Sequence, residues 1–341
     1  MTNQLIDQLT NRPGGPLPRS LTTNYIRWLR SRIGSRKTLL AYATALIRDE
    51  AGRLLFQRRA DFGDAWWGLP GGVLELGETF TQCVIREAFE ETGWQVRPIR
   101  LIGLYASPDW DVRYPNGDEV QQFTVALEGR IVGGQARLDE HEITEQHFFA
   151  LDELPDPIPP WYAAMVRDLK HPIDGAYFDP PVIGDSSGGY MQALRESVGT
   201  DPLLIMGAGA IIFDACGRVL LGLRGDNHLW GMPAGQMELG ETPAGTAVRE
   251  TYEEVGLRVR PMQLSGVFTG PDAFHIYPDG NQVQVVGARF RAEVIGGELK
   301  ADGHETLDVG WFDLDQLPPM VPRHRHALQV ALDHPEGGQF L

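Results

Sequence analysis

The chain has 341 residues, an ordinary apolar share of 42% and a formal net charge of −16, which is long for one core and comfortable for two domains. That acidity disfavours a nucleic-acid polymer as partner, because phosphate backbones are bound through surpluses of Lys and Arg, whereas it suits a site that gathers divalent cations. No apolar run is long enough to cross a bilayer, the N-terminus lacks the basic start and apolar stretch of a signal peptide, and Cys83 and Cys216 are too few for a disulfide framework, so the expected setting is a reducing cytoplasm with no membrane partner.

Residues 1–23, with Pro13, Gly14, Gly15, Pro16 and Pro18, read as an extension. A short helix is predicted over 25–32, a strand over 39–48, an Asp/Gly turn, and a second strand over 53–58. The loop Leu69-Pro70-Gly71-Gly72 leads into a helix that starts with the capping box Thr79-Phe-Thr-Gln82 and stops at Gly93. β-like runs follow, including 121–127, and a helix over 161–169 closes the unit. Residues 171–188, rich in Pro, Gly and Ser, read as a linker.

The order then starts again. Tyr190-Met-Gln-Ala-Leu-Arg repeats Tyr25-Ile-Arg-Trp-Leu-Arg at an offset of 190 − 25 = 165. Past a two-residue difference the offset is 235 − 72 = 163, and it holds to the end: Tyr277-Pro-Asp-Gly repeats Tyr114-Pro-Asn-Gly, and Phe312-Asp-Leu-Asp repeats Phe149-Ala-Leu-Asp. A buried strand over 203–213, a helix start at Thr242-Pro243, a stop at Gly256 and a strand over 284–290 complete the second copy. The expected organisation is two domains, 24–170 and 189–341, each a sheet with helices on its faces.

Both copies carry Gly, five residues, Glu, seven residues, Arg-Glu-x-x-Glu-Glu-x-Gly and an apolar residue: Gly72, Glu78, Arg86 to Trp94, and Gly235, Glu241, Arg249 to Leu257. One match has a chance of roughly one in a billion per starting position at average residue usage. On the helix, Glu87, Glu90 and Glu91 stand at i, i+3 and i+4 and share a face, as do Glu250, Glu253 and Glu254. Like charges so placed repel, and a hard divalent cation on oxygen ligands reverses that penalty.

This pattern is that of the Nudix box, and the chain resembles a tandem Nudix hydrolase. The resemblance implies an α/β fold of two α/β/α sandwiches with mixed sheets, a Mg²⁺ or Mn²⁺ cofactor on the six box glutamates and the glycines Gly72 and Gly235, and hydrolysis of a nucleoside diphosphate linked to another group X. It implies too that Arg86 and Arg249 orient a glutamate, while Glu78 and Glu241 are structural or contact the metal and Gly93 and Gly256 shape the box. The general base is open between Glu90 or Glu253 and a carboxylate of a later loop, Glu142 or Glu305, which sit in register (305 − 142 = 163).

Substrate signals are weaker. Pro108 and Pro271 lie 15 residues beyond the last box glycine (108 − 93; 271 − 256), which resembles the ADP-ribose-type subgroup, although both are also ordinary turn residues. Tyr114 and Tyr277 face the cleft or merely lead a hairpin turn; Trp66, Trp67 and Trp230 stack on a base or pack in the core; Arg59 and Arg224 pair with a phosphate or an acidic neighbour. Alternatives are a (d)NTP or dinucleoside polyphosphate pyrophosphohydrolase, a non-catalytic nucleotide-binding module, and one active copy with a structural partner. The copies are expected to pack as an intrachain pseudo-dimer or through a homo-oligomer.

Overall fold

In the computed structural model, residues 24–59, 66–138, 143–184, 189–277 and 279–341 are described. The first copy runs α1 (Tyr25–Ile33), β1 (Thr38–Arg48), β2 (Leu54–Arg59), β3 (Trp67–Gly68), β4 (Gly71–Val73), α2 (Phe80–Thr92), β5 (Trp94–Tyr105), β6 (Val112–Arg113), β7 (Glu119–Gly134), β8 (Ile143–Phe149) and α3 (Pro160–Lys170). After β9 (Tyr177–Phe178), the second runs α4 (Tyr190–Val198), β10 (Leu203–Ile212), β11 (Val219–Arg224), β12 (Trp230–Gly231), β13 (Ala234–Gln236), α5 (Pro243–Val255), β14 (Leu257–Phe268), β15 (Phe274–Ile276), β16 (Gln282–Gly297), β17 (Thr306–Phe312), α6 (Pro322–Asp333) and β18 (Gln339–Phe340).

The central strands β1 and β10 are apolar at almost every position and buried on both faces, as a strand with a parallel neighbour and helices on either side must be. Each has one: β1 runs parallel to β7, and β10 runs parallel to β16 in the same register, Thr38 opposite Val120 and Leu203 opposite Val283. Among the described residues the first sheet has the order β3-β2-β1-β7-β5-β9, with β4 on β1, β6 on β7 and β8 on β2. The second has β13-β10-β16-β14-β18 with β15 on β16, and β12-β11-β17 joined to it by one bridge between Phe213 and Val219.

Helix α2 presents Phe80, Cys83, Val84 and Ala88 to one face of the first sheet, the i, i+3, i+4, i+8 stripe of a helix lying on a core. Helix α3 covers the other face with Ala164, Met165 and Leu169, against Leu46, Phe56 and Ile102. The second copy repeats this with α5 on one face, and with Leu328 and Ala331 of α6 against Ile211 and Met232 on the other. Mixed sheets between helices were legible in the sequence, and so was the duplication. No helix among the described residues is long and apolar enough to cross a membrane.

The copies exchange hydrogen bonds in matched pairs. The Tyr25 hydroxyl accepts from the Leu204 amide at 3.0 Å, and the Tyr190 hydroxyl accepts from the Leu39 amide at 2.8 Å. Gln121 takes the Gly240 amide and donates to the Glu241 carbonyl, both at 2.7 Å; Gln284 takes the Gly77 amide at 2.6 Å and donates to the Glu78 carbonyl at 3.1 Å. One cluster of buried apolar side chains includes Phe80 and Phe123 of the first copy with Val286 and Phe290 of the second.

Within the Pro- and Gly-rich stretch after α3, β9 pairs in parallel with β5, and Asp179 accepts from the Ala106 and Ser107 amides. Three residues on, Val182 exchanges hydrogen bonds with Thr242, the cap of α5. Gly245 is obligatory there, because a Cβ would stand 1.9 Å from the Val182 carbonyl oxygen.

Candidate active site

The box helices begin and end as their caps dictate. Thr79 and Gln82 close a reciprocal capping box and Thr242 caps α5 before Pro243, while Gly93 and Gly256 take left-handed φ of 77° and 74°. These ends fix the rotation of the helix, and with it where each glutamate points.

The centre of each box is an arginine. Arg86 donates from Nε and Nη2 to the two oxygens of Glu78 at 2.6 and 2.9 Å, and from Nη1 to Glu87 at 2.6 Å and Glu90 at 3.2 Å. Arg249 repeats this with Glu241 at 2.6 and 3.0 Å, Glu250 at 2.8 Å and Glu253 at 2.9 Å. Burial works against the charge on Arg86, but the hydrogen bond to Glu78 and the charge of Glu87 outweigh it and its pKa rises; Arg249 does the same with Glu241 and Glu250. A planar fork held on both edges cannot rotate, so the arginine sets the positions of its carboxylates.

The three glutamates of a face are not equivalent. Glu90 and Glu253 are exposed, whereas Glu91, Glu250 and Glu254 are buried and Glu87 is half-buried. Burial pushes Glu87 and Glu250 up to about 7, and Glu91 and Glu254 up to about 8. Glu91 accepts from the Gly71 amide at 2.9 Å, Gln57 Nε2 at 2.8 Å and Arg59 Nη1 at 3.3 Å. Glu254 accepts from the Ala234 amide at 3.1 Å; Gly222 stands where the first copy has Gln57, and Arg224 turns to Asp226 instead.

Gly72 and Gly235 leave room for the carboxylates of Glu87 and Glu250, which a side chain there would displace. A Cβ on Gly72 would fall 2.2 Å from Glu87 Oε1, and one on Gly235 would fall 2.1 Å from Glu250 Oε1. As the side chains stand, no three acidic, histidine or cysteine groups among the described residues are drawn together closely enough to hold a metal; each Nη1 lies between the first and second glutamates of its face. In kind the donor set fits a hard divalent cation: carboxylate oxygens only, some of them buried and protonated more readily than in water, which is the condition a cation reverses.

A cleft opens onto each box, of about 430 Å³ in the first copy and about 650 Å³ in the second, within the range of small-molecule sites. Arg59 and Tyr114 line the first; Arg224, Tyr277 and Glu305 line the second. Glu142 lies outside the described residues. Trp67 is buried against Phe149 and Arg58, and its neighbour Trp66 faces the first cleft; Trp230 packs edge-on to Phe312, with ring centres 4.6 Å apart. Pro108 and Pro271 each open a single 3₁₀ turn.

Sequence reasoning missed much of both walls. Trp161 and Tyr162 face the first cleft; Arg289, Arg323 and His324 face the second. One signal was available: Arg289 interrupts the apolar run Val285-Val-Gly-Ala-Arg-Phe, and an arginine inside a buried strand needs a reason.

A model of the NUDIX domain matches residues 38–169 and again residues 203–331. An ADP-ribose pyrophosphatase of Methanocaldococcus jannaschii is 36% identical over 121 residues, covering 35% of this chain and 68% of that protein. A MutT-like protein of Streptomyces ambofaciens is 30% identical over 128 residues, 38% of this chain and 75% of its own. Among solved structures, an ADP-ribose pyrophosphatase from Streptococcus suis aligns at 27% identity and a TM-score of 0.32, covering 38% of this chain and 87% of that one.

Proposed function

The chain belongs to the NUDIX family twice over, and on that premise we propose that it is a divalent-metal-dependent hydrolase of a nucleoside diphosphate linked to X, of ADP-ribose or nucleotide-sugar type. The observation that carries this is the duplicate arginine-centred box, whose glutamates are all present in both copies and whose hydrogen bonds agree pairwise. A ligand-sensing role would not need the carboxylates in both. The name of the M. jannaschii relative supports the choice of X.

Glu87, Glu90 and Glu91 would hold the cation in the first copy, and Glu250, Glu253 and Glu254 in the second. When bound, Mg²⁺ or Mn²⁺ neutralises the diphosphate and acidifies a water. The chain's own residues do the rest. Arg86 and Arg249 fix the first glutamates of each face, and the exposed Glu90 and Glu253 are the members able to turn toward the cleft. Glu305 lines the cleft of the second copy, which supports it beside Glu253 as the group that would take a proton from attacking water. Attack within the diphosphate yields a nucleoside monophosphate and a phosphorylated X.

We also read the two copies as an intrachain pseudo-dimer, supported by the matched Tyr25/Tyr190 and Gln121/Gln284 bonds. The test of function is kcat/KM for ADP-ribose, nucleotide sugars, dinucleoside polyphosphates and (d)NTPs at fixed Mg²⁺ and ionic strength. Diphosphate esters should lead, and the double variant Glu90→Gln/Glu253→Gln should be inactive. Wild-type turnover by that variant sinks the hydrolase assignment, whereas a preference for (d)NTPs sinks only the choice of X.

A further inference from the structure

The second cleft contains two arginines, Arg289 and Arg323, that form no ion pair among the described residues, although acidic side chains line the same cleft. Arg289 on β16 is only 6% exposed, its Nε has no hydrogen-bond partner among the described residues, and it stacks over Phe268 with its guanidinium carbon 5.2 Å from the ring centre. Its Nη2 lies 3.3 Å from His324 Nε2. The other imidazole nitrogen, Nδ1, accepts from the Met232 amide at 3.1 Å, so a neutral ring carries its proton on Nε2. Two N–H donors therefore face each other with no acceptor between them. Arg323, beside His324 in the first turn of α6, forms no ion pair among the described residues, and the positive end of that helix adds to the field. Arg224 is already neutralised by Asp226. Arg289 Nη1 donates to the Ala288 carbonyl at 3.2 Å, but burial and the charge of Arg323 outweigh the opposing charge of Glu254 and lower Arg289 to about 9.

The first copy has none of this. At the offset of 163 its residues are Ala126, Pro160 and Trp161. The neighbouring position on the central strand changes with them: Gly209 lies beside Arg289 in the sheet register, where the first copy has Thr44 beside Ala126.

We propose that Arg289, Arg323 and His324 form an oxyanion subsite in the second copy, which accepts a phosphate of the substrate beyond those held at the box, or a free phosphate ion. An oxygen placed among them accepts from Arg289 and His324 together and restores charge balance. The nucleotide-hydrolase reading supplies only the choice of ligand; the subsite itself stands on the unanswered donors.

The test is binding of inorganic phosphate to the full chain, in EDTA and phosphate-free buffer, by calorimetry. The expected result is one saturable site per chain, weakened about 10- to 100-fold by Arg289→Met, the worth of a charge-assisted hydrogen bond, and weakened too by Arg323→Gln. If Arg289→Met does not fold, Arg323→Gln decides. Absence of saturable binding, two equivalent sites, or wild-type affinity in the folded variants overturns the proposal. With Mg²⁺ and a Glu90→Gln background, phosphate competitive with substrate identifies the substrate's own phosphate as the occupant, and non-competitive inhibition identifies the free ion. Loss of hydrolysis in Glu90→Gln/Glu253→Gln with phosphate binding intact keeps both readings; full hydrolysis in that variant removes the first alone.

Discussion

The two copies keep one box and build two different clefts around it. The Arg86 and Arg249 networks agree in every glutamate partner, yet the wall opposite is aromatic in the first copy, with Trp66, Trp161 and Tyr162, and cationic in the second, with Arg289, Arg323 and His324. The box is closed upon itself: each donor of the arginine meets a carboxylate or carbonyl, so a change in one member strands the others. Wall residues answer mainly to whatever enters the cleft. On the proposed reading, the comparison separates residues that would carry out the reaction from residues that would choose what reacts.

The largest effect that can break this comparison comes from silencing one copy at a time. Glu90→Gln should lower turnover by the first copy about 10²- to 10⁴-fold, and Glu253→Gln should do so for the second, with little change in unfolding. Each single variant then reports the other copy's substrate profile. Substrates with an additional phosphate should be favoured when only the second copy works, and those with an unencumbered aromatic base when only the first does. Identical kcat/KM rankings in the two variants would show that the walls do not set specificity.

A second difference is structural and self-compensating. In the first copy Gly71 has φ of +152°, and a Cβ there would stand 2.4 Å from the Ala43 carbonyl oxygen. The second copy has Ala234 at that position, and the relief comes from across the ladder: Gly209, its partner on β10, would collide with the Ala234 methyl at 2.4 Å if it carried a Cβ. Thr44 with Gly71 and Gly209 with Ala234 are two solutions of one packing problem. Gly71→Ala should destabilise by about 2–3 kcal/mol, and Ala234→Gly by no more than about 1 kcal/mol, read as shifts in denaturant midpoint. Equal costs would mean that the two loops differ in nothing that matters.

The sequence made the box legible because its carboxylates are local: three glutamates on one helix are placed by helical spacing alone, and the caps that rotate that helix are also in sequence. Strands β1 and β10 were legible as largely apolar runs, the second interrupted only by glycines. The cleft walls were not, since Trp161 and Arg323 reach the site from closing helices with no local pattern to mark them, and Arg289 is marked only as an arginine inside an apolar strand. Trp66 and Trp67 show the same limit at closer range, because β3 is two residues long and gives no alternation from which to read the inward side. The inequality of the glutamates, exposed at Glu90 and buried at Glu91, also depends on what packs over the helix.

The contacts between copies sharpen the comparison in the other direction, since they predict sameness. Gln121→Ala leaves the Gly240 amide and Glu241 carbonyl without their partner, and Gln284→Ala does the same to Gly77 and Glu78. Each should cost about 1–3 kcal/mol, the penalty of a stranded buried polar group, and the two costs should match. Because Glu241 and Glu78 anchor Arg249 and Arg86, each variant should also lower turnover in the copy opposite to the one mutated. A loss confined to the mutated copy would mean that the paired bonds do not couple the boxes.

The smallest effect is a pH dependence shared by both copies. Burial raises Glu87 and Glu250 to about 7 and Glu91 and Glu254 to about 8, above the carboxyl value of an unfolded chain, roughly 4.3. The folded state therefore binds more protons than the unfolded one between those limits. Its stability contribution is complete below the unfolded value and is lost as pH rises through 7 to 8. In EDTA the Tm should fall from pH 5 to pH 9, by about 2–4 °C for each kcal/mol lost in a domain of this size. Glu91→Gln and Glu254→Gln should each remove a similar part of that slope, although Glu91 has Gln57 and Arg59 beside it and Glu254 does not. On the proposed reading Mg²⁺ would bind the ionised carboxylates, so saturating metal should flatten or reverse the slope. A metal-free Tm that rises over this range would contradict the burial of these carboxylates in both copies.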